Sequence, residues 1–268
     1  MKVLICFKVV PDMDMMGDWN AGAEGTVDFS PLRKLWNCFD EGSLELFLKL
    51  RDSGENGDDP LRLDVLTIGG AYCDTYLKTL AALGFDSMIR IARDDSCSPE
   101  LTARIVAAFV RYRSSYDFVV MGAQSPERNS GVTPFLAAEY LGWMCISHCL
   151  GIEVSPSGPR GAVTVHSHSD EGELVQTILP PCVFTVGNGA DAYLRTPTLK
   201  ERLTRGAKPL EVYTPEQFCI DTVRESAEMR GIKAVNHTRQ GILIDEGTVA
   251  DRVARFYTGY LMERLEKR

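Results

Sequence analysis

The chain is 268 residues long, 44% apolar and 25% charged, with a formal net charge of −8. That size fits one large α/β domain with a tail and allows a sizeable core. The negative balance excludes general attraction to nucleic acid or an anionic membrane, and no apolar run approaches the roughly 20 residues that span a bilayer.

Met1-Lys2 leads straight into VLICF, with neither the length nor the small-residue cleavage site of a signal peptide, so a cytoplasmic location is expected. Residues 2–9 read as a first core strand closed by Pro11-Asp12. Leu44, Phe47, Leu48 and Leu50 recur at helical spacing over 40–51, with Asn37 placed as a cap. A second strand over 63–68 ends at Gly69-Gly70. A helix over 73–83 is stopped by Gly84. Residues 87–92 form a strand and 99–113 a helix with Pro99 at its start.

The stretch DFVVMGAQSPERNSGVTPFLAAEYLGW, residues 117–143, then gives an apolar strand (118–121), a turn at Gly122, a polar loop and a helix from about Thr133. Free N–H groups and the dipole of that helix favour an anion, and Ser130, Gly131 and Thr133 would surround it. Alternating strands and helices argue for a parallel sheet covered on both faces, in a three-layer α/β/α, Rossmann-like arrangement. Ligands of such sheets bind at the carboxyl ends of the strands, here 6–11, 67–70 and 122–133. Neither GxGxxG nor GxxxxGK[ST] occurs, so the common dinucleotide and phosphate-loop readings fail.

After Trp143 the pattern changes. Residues 146–154, 162–168 and 173–178 read as antiparallel strands, with hairpin turns at 155–159 and 170–172, and 182–186 as a further strand. Leu199 and Leu203 lie one turn apart within 197–205. Residues 212–245 carry little periodicity and read as an arm. The chain closes on an amphipathic helix over 248–267, with Val249, Val253, Phe256, Tyr260 and Leu261 on one side.

Eight cysteines are scattered without a CxxC pair, which fits small buried apolar residues better than disulfides or a metal. Cys145, His148 and Cys149 have ligand spacing only if helical, and their surroundings read as a strand. His166 and His168 share a strand face with no third ligand nearby. No metal site is expected.

Six landmarks in order resemble the β subunit of electron transfer flavoprotein. VLICFKVVPD resembles that family's VLVCVKQVPD, and Asn37-Cys-Phe-Asp-Glu41 its NPxDE. Residues 65–86 resemble VxSxGP…ALAMGAD, and the loop from Gly122 to LAAEYLGW aligns without a gap to GKQAxDxDxxQxG…LAxxLGWP. Residues 170–172 with 181–185 are similar to DGG…LPAVVT, and 195–210 to RYPSLPGIMKAKKKPI. The resemblance implies an electron carrier, not an enzyme with its own substrate. Such a carrier pairs with an α subunit that holds most of an FAD, and serves a dehydrogenase or oxidoreductase. It further implies AMP in the β subunit, or a second FAD in members that bifurcate electrons. Carried over residue by residue, the nucleotide site comprises Cys6, Phe7, Asn37, Ile68, Ser130, Gly131, Val132 and Thr133. The docking loop carries Leu199, with Arg202 and Leu203 beside it. The α/β domain would cover 1–212, and 213–268 would form an arm and helix packed on the partner subunit. The family's acidic, amide-containing loop is replaced here by Ser-Pro-Glu-Arg-Asn-Ser-Gly-Val-Thr, and its amide before the threonine is absent. The alternative reading is an adenine-nucleotide sensor of the same fold without redox work.

Overall fold

The computed structural model describes residues 1–12, 14, 32–54, 60–93, 97–126, 129–155, 159, 161–187, 193–218, 220 and 241–265. These fall into two compact units, one within 1–220 and a smaller one over 241–265. The expected turn at 155–159, the connection after Gly187, most of the arm and the last turn of the terminal helix lie partly or wholly outside them.

In the larger unit, β1 (Lys2–Cys6) is followed by β2 (Val9–Pro11) and β3 (Lys34–Trp36), a separate antiparallel pair. The single strand expected over 2–9 is therefore broken at Phe7 and Lys8. There Phe7 N–H still donates to Leu66 O (2.9 Å), but Lys8 N–H turns to the Asp40 carboxylate (2.7 Å) and the chain leaves the sheet. Next come α1 (Cys38–Asp52), β4 (Arg62–Gly69), α2 (Asp74–Ala82), β5 (Ser87–Ala92), α3 (Pro99–Arg113), β6 (Phe118–Gly122) and α4 (Thr133–Leu141). After them stand β7 (Met144–Val154), β8 (Val163–Ser169), β9 (Gly172–Ile178), β10 (Cys182–Val186), α5 (Leu199–Thr204) and β11 (Leu210–Tyr213).

Nine strands form one sheet in the order β11-β5-β4-β1-β6-β10-β7-β8-β9. All pairs from β11 to β7 are parallel, and β7–β8 and β8–β9 are antiparallel. The antiparallel pairing expected after Trp143 is thus corrected for β7. Its first half runs parallel to β10 through Cys149, and its second half pairs with β8 from the same residue on. His148, at φ +53°, sits at the irregularity where it changes partner.

Alternation along the strands sorts the core into two layers. Val3 and Ile5 of β1 join Leu44, Phe47 and Leu48 of α1 and Leu77 and Leu80 of α2. Leu4 and Cys6 face the other way, onto Ile105, Val106 and Phe109 of α3 and Ala137 and Ala138 of α4. The result is a mostly parallel sheet with helices on both faces. Ser98 caps α3 through Leu101 N–H with Pro99 at its start, and Gly84 follows α2 at φ +92°, a backbone angle suited to glycine.

The boundary expected after 212 falls inside β11. Beyond it, Phe218 packs edge-on to Phe109 of α3 (5.8 Å between ring centres), so the described chain stays with the sheet to that point. In the smaller unit, α6 (Val249–Phe256) is capped by a reciprocal Thr248–Asp251 box. It passes through a wide turn (Tyr257–Leu261) into α7 (Met262–Leu265). Among the described residues no helix is long and apolar enough to cross a membrane.

Candidate functional site

A cavity of about 340 Å³ opens where β4, β1 and β6 end, between the start of α3 and the loop before α4. That is the range of small-molecule sites. Close backbone approach makes the space. A Cβ on Gly122 would stand 2.4 Å from Asp40 Oδ1 and 2.7 Å from Phe39 Cβ, and one on Gly69 2.6 Å from Cys73 Sγ. A larger residue at Gly122 would displace the first turn of α1, and one at Gly69 would push aside the Cys73 and Tyr72 side chains.

Asn37 and Asp40 knot these elements together. Asn37 occupies the position before α1 but makes no capping bond, contrary to the role expected of it. Its Nδ2 instead donates to Asp40 Oδ2 (2.9 Å) and to Gln124 O (2.8 Å). Asp40 also accepts from Lys8 N–H (2.7 Å) and Gly122 N–H (2.8 Å), so one buried carboxylate fixes the exits of β1 and β6. Burial pushes the Asp40 carboxyl up to about 6, against the lowering effect of these donors. Asn37 is 2% exposed, lines the cavity, and its Oδ1 has no hydrogen-bond partner. A buried acceptor left open in this way is an exception among folded proteins and fits a donor on a ligand.

The loop before α4 supplies the other wall. Ala123 N–H is tied to Val186 O (2.9 Å), and Asn129 N–H to Ser125 O (2.8 Å). Gly131 adopts φ +63°, which turns the chain into the helix. No side chain caps α4, and because Pro134 has no N–H its first turn leaves the Thr133 and Phe135 amides for another acceptor.

Seven of the eight residues expected at a nucleotide site therefore line one cavity: Cys6, Phe7, Asn37, Ile68, Ser130, Gly131 and Thr133. Val132 does not; it precedes α4 and is 43% exposed. Cys6 is buried, and burial first, then Asp40, raises its thiol far above the usual range, so it serves as neutral apolar wall. Phe7 leans on Trp36 (5.3 Å), and Trp36 on Tyr76 (4.8 Å), which bolsters that wall from behind. Sequence reasoning missed Asp40, Gln124 and Arg93. Asp40 could have been found from its place three residues beyond Asn37 at the start of a helix. Arg93 follows β5 with no local mark of its role, yet its Nε is buried in the cavity lining without a partner.

Leu199, Arg202 and Leu203 lie on α5, and the two leucines are 72% and 73% exposed. A Thr198–Glu201 capping box starts this short helix. Just upstream, Arg195 grips buried Glu45 of α1 through Nε (2.9 Å), Nη2 (2.7 Å) and its own N–H (3.0 Å). Among the described residues no group of three or more side chains could hold a metal ion.

A mostly parallel sheet under helices, with a cavity at the carboxyl ends of its central strands, defines a Rossmann-like α/β protein, a class whose ligands bind at that edge. Residues 37–217 match the electron transfer flavoprotein domain, and the chain belongs to that family. It is similar to a protein of Escherichia coli (strain K12) named "Putative electron transfer flavoprotein subunit YgcR". The two are 28% identical over 277 aligned positions, which cover 99% of this chain and all of that protein.

Proposed function

We propose that this chain is the β-type subunit of an electron transfer flavoprotein. It pairs with an α-type subunit holding FAD, carries a nucleotide (AMP or a second FAD) in the cavity at the ends of β1, β4 and β6, and exchanges electrons with a dehydrogenase or oxidoreductase. The observation that carries this reading is the convergence of seven residues expected at a nucleotide site around one cavity, whose lining includes Asn37 with its buried, unpartnered Oδ1. The family match and the similarity to a named flavoprotein subunit support it.

The residues fit the group. The uncapped amides of α4 and the hydroxyls of Ser130 and Thr133 suit a phosphate. Asn37 Oδ1 accepts from an amino or hydroxyl group, and Cys6, Phe7 and Ile68 supply apolar walls. A flavin, when bound, takes up and releases the electrons. This chain's part is to bind and position, and the reading assigns it no catalytic residue. Leu199 and Leu203 form an exposed apolar anchor of the kind that suits brief, small interfaces.

Co-expression with an FAD-holding subunit tests this. A yellow heterodimer is expected, releasing AMP or FAD in addition to the flavin of the partner. A colourless monomer or homodimer that takes no partner would falsify the proposal, and release of ATP in its place would point to a nucleotide sensor.

A further inference from the structure

Among the described residues two aromatic side chains line the cavity, Phe7 and Tyr72. Phe7 is 4% exposed and backed by Trp36, so its ring belongs to the core. Tyr72 is 47% exposed. It sits in a single helical turn, Ala71–Cys73, between the end of β4 and the start of α2. Cys73 beside it is buried and its N–H donates to Gly70 O (3.1 Å), while Tyr72 O accepts from Thr75 Oγ1 (3.1 Å). These contacts fix the main chain of the turn, and the ring reaches back to the last residue of β4. A Cβ on Gly69 would meet Tyr72 Oη at 3.1 Å and Cζ at 3.5 Å. The ring therefore stands against bare backbone at the carboxyl edge of the sheet, where ligands of this class bind.

Lys34 of β3 shares the lining, and its Nζ stands 6.0 Å over the centre of the Tyr72 ring. That is the outer limit of a cation–π contact, so the ammonium covers the ring face loosely. The main chain of Lys34 is firmly held. Its carbonyl accepts from Tyr76 OH of α2 (2.5 Å), and Trp36 packs edge-on to Tyr76 (4.8 Å). Both residues are thus presented by fixed backbone, while the four-carbon stem of the lysine lets its head move aside. A flat ring stacked on Tyr72 would centre about 4.5–7 Å from the tyrosine ring, the distance at which the ammonium stands. Stacking of a base on an aromatic side chain outweighs an exposed cation–π contact, so such a ring would win the place.

Resting on the nucleotide reading above, we propose that Tyr72 is the stacking platform of the cavity, on which a flat heteroaromatic ring of the ligand lies in place of the Lys34 ammonium. Adenine and isoalloxazine both offer such a ring. Calorimetric titration of the nucleotide-free full-length protein with AMP and FAD, unmodified and as Tyr72→Phe and Tyr72→Leu, tests this. Tyr72→Phe keeps the ring and is expected to stay within about twofold of the unmodified affinities. Tyr72→Leu keeps apolar bulk without the ring and should weaken binding about 5- to 10-fold. A loss shared by AMP and FAD puts adenine on Tyr72, and a loss confined to FAD puts the isoalloxazine there. No loss with either ligand would overturn the proposal. So would an equal loss in Tyr72→Phe, which would assign the effect to the hydroxyl. Both variants should keep the thermal unfolding midpoint, since residue 72 lies at the surface. A Tyr72→Leu loss that comes with a lowered midpoint would mark a structural residue instead, against the proposal. If neither nucleotide binds the unmodified chain, the nucleotide reading itself falls and takes the platform with it.

Discussion

A carboxylate that must be buried to hold a site together leaves a signature in pH. Asp40 is 5% exposed, and burial pushes its carboxyl up to about 6 from the 3.8 of an ordinary aspartate. Between about pH 4 and pH 6 the folded chain therefore keeps a proton that the unfolded chain releases, so stability falls as pH rises through that window and levels above it. The shift corresponds to on the order of 3 kcal/mol. In urea unfolding at a series of pH values, Asp40→Asn is expected to gain on the unmodified chain from about pH 4 to 6, with a constant offset beyond. An offset that never varies with pH would mean that Asp40 titrates as an ordinary carboxyl. That Ser130, Gly131 and Thr133 line the cavity was legible because small and hydroxylic side chains between a strand and a helix mark a turn at the carboxyl edge of the sheet. Asp40 and Arg93 were not, since their roles arise only where chain segments far apart in sequence converge. Asn37 was legible as a residue of the cavity but misread as a cap, because only the folded chain brings Gln124 O to its amide.

At the level of elements, β5, α3 and β10 coincide with the spans read from periodicity, because each is bounded by a local stop or start signal. The break of the first strand at Phe7 and Lys8 and the change of partner along β7 have no such signal. Both are imposed by neighbours: the Asp40 carboxylate in the first case, and β10 and β8 sharing one long strand in the second. The short helix α5 has none of its residues buried and owes its position to anchors outside itself. Arg195 is one of them, since it satisfies a Glu45 side chain that is only 7% exposed. Arg195→Met would leave that buried carboxylate without its guanidinium partner, with only the main-chain N–H of residue 195 still donating, at a cost of about 2 kcal/mol in global stability. Faster amide exchange is expected over 195–205 than over α1, and Arg195→Lys should recover little, because an ammonium cannot reproduce the forked contact. If exchange in α5 is unchanged, the helix is held by other contacts.

The whole molecule was legible through the order of its landmarks more than through any one of them, which is why the family was readable while the ligand was not. The smaller unit carries Val249, Val253, Phe256 and Tyr260 at 74%, 61%, 50% and 40% exposure, a large apolar stripe left open. On the proposed function this stripe meets the α-type subunit. Val253→Asp is then expected to weaken heterodimer formation about 10- to 100-fold while nucleotide content of the cavity stays the same. Undiminished association in analytical ultracentrifugation would remove the stripe from the interface. The course of the chain from β10 to β11 has another consequence. These strands are separated in the sheet by β6, β1, β4 and β5, so the segment between them crosses most of one face, some 24 Å, before pairing again at the edge. Along the way Arg195 fastens it to α1, and Lys208 Nζ to Phe85 O (2.7 Å). Moored on both sides, α5 can exchange its outward side chains without disturbing the sheet or the cavity. On the proposed function, recognition would thereby be uncoupled from ligand binding in evolution: a lineage could drift toward a new redox partner by editing one exposed turn, while everything beneath it is inherited unchanged.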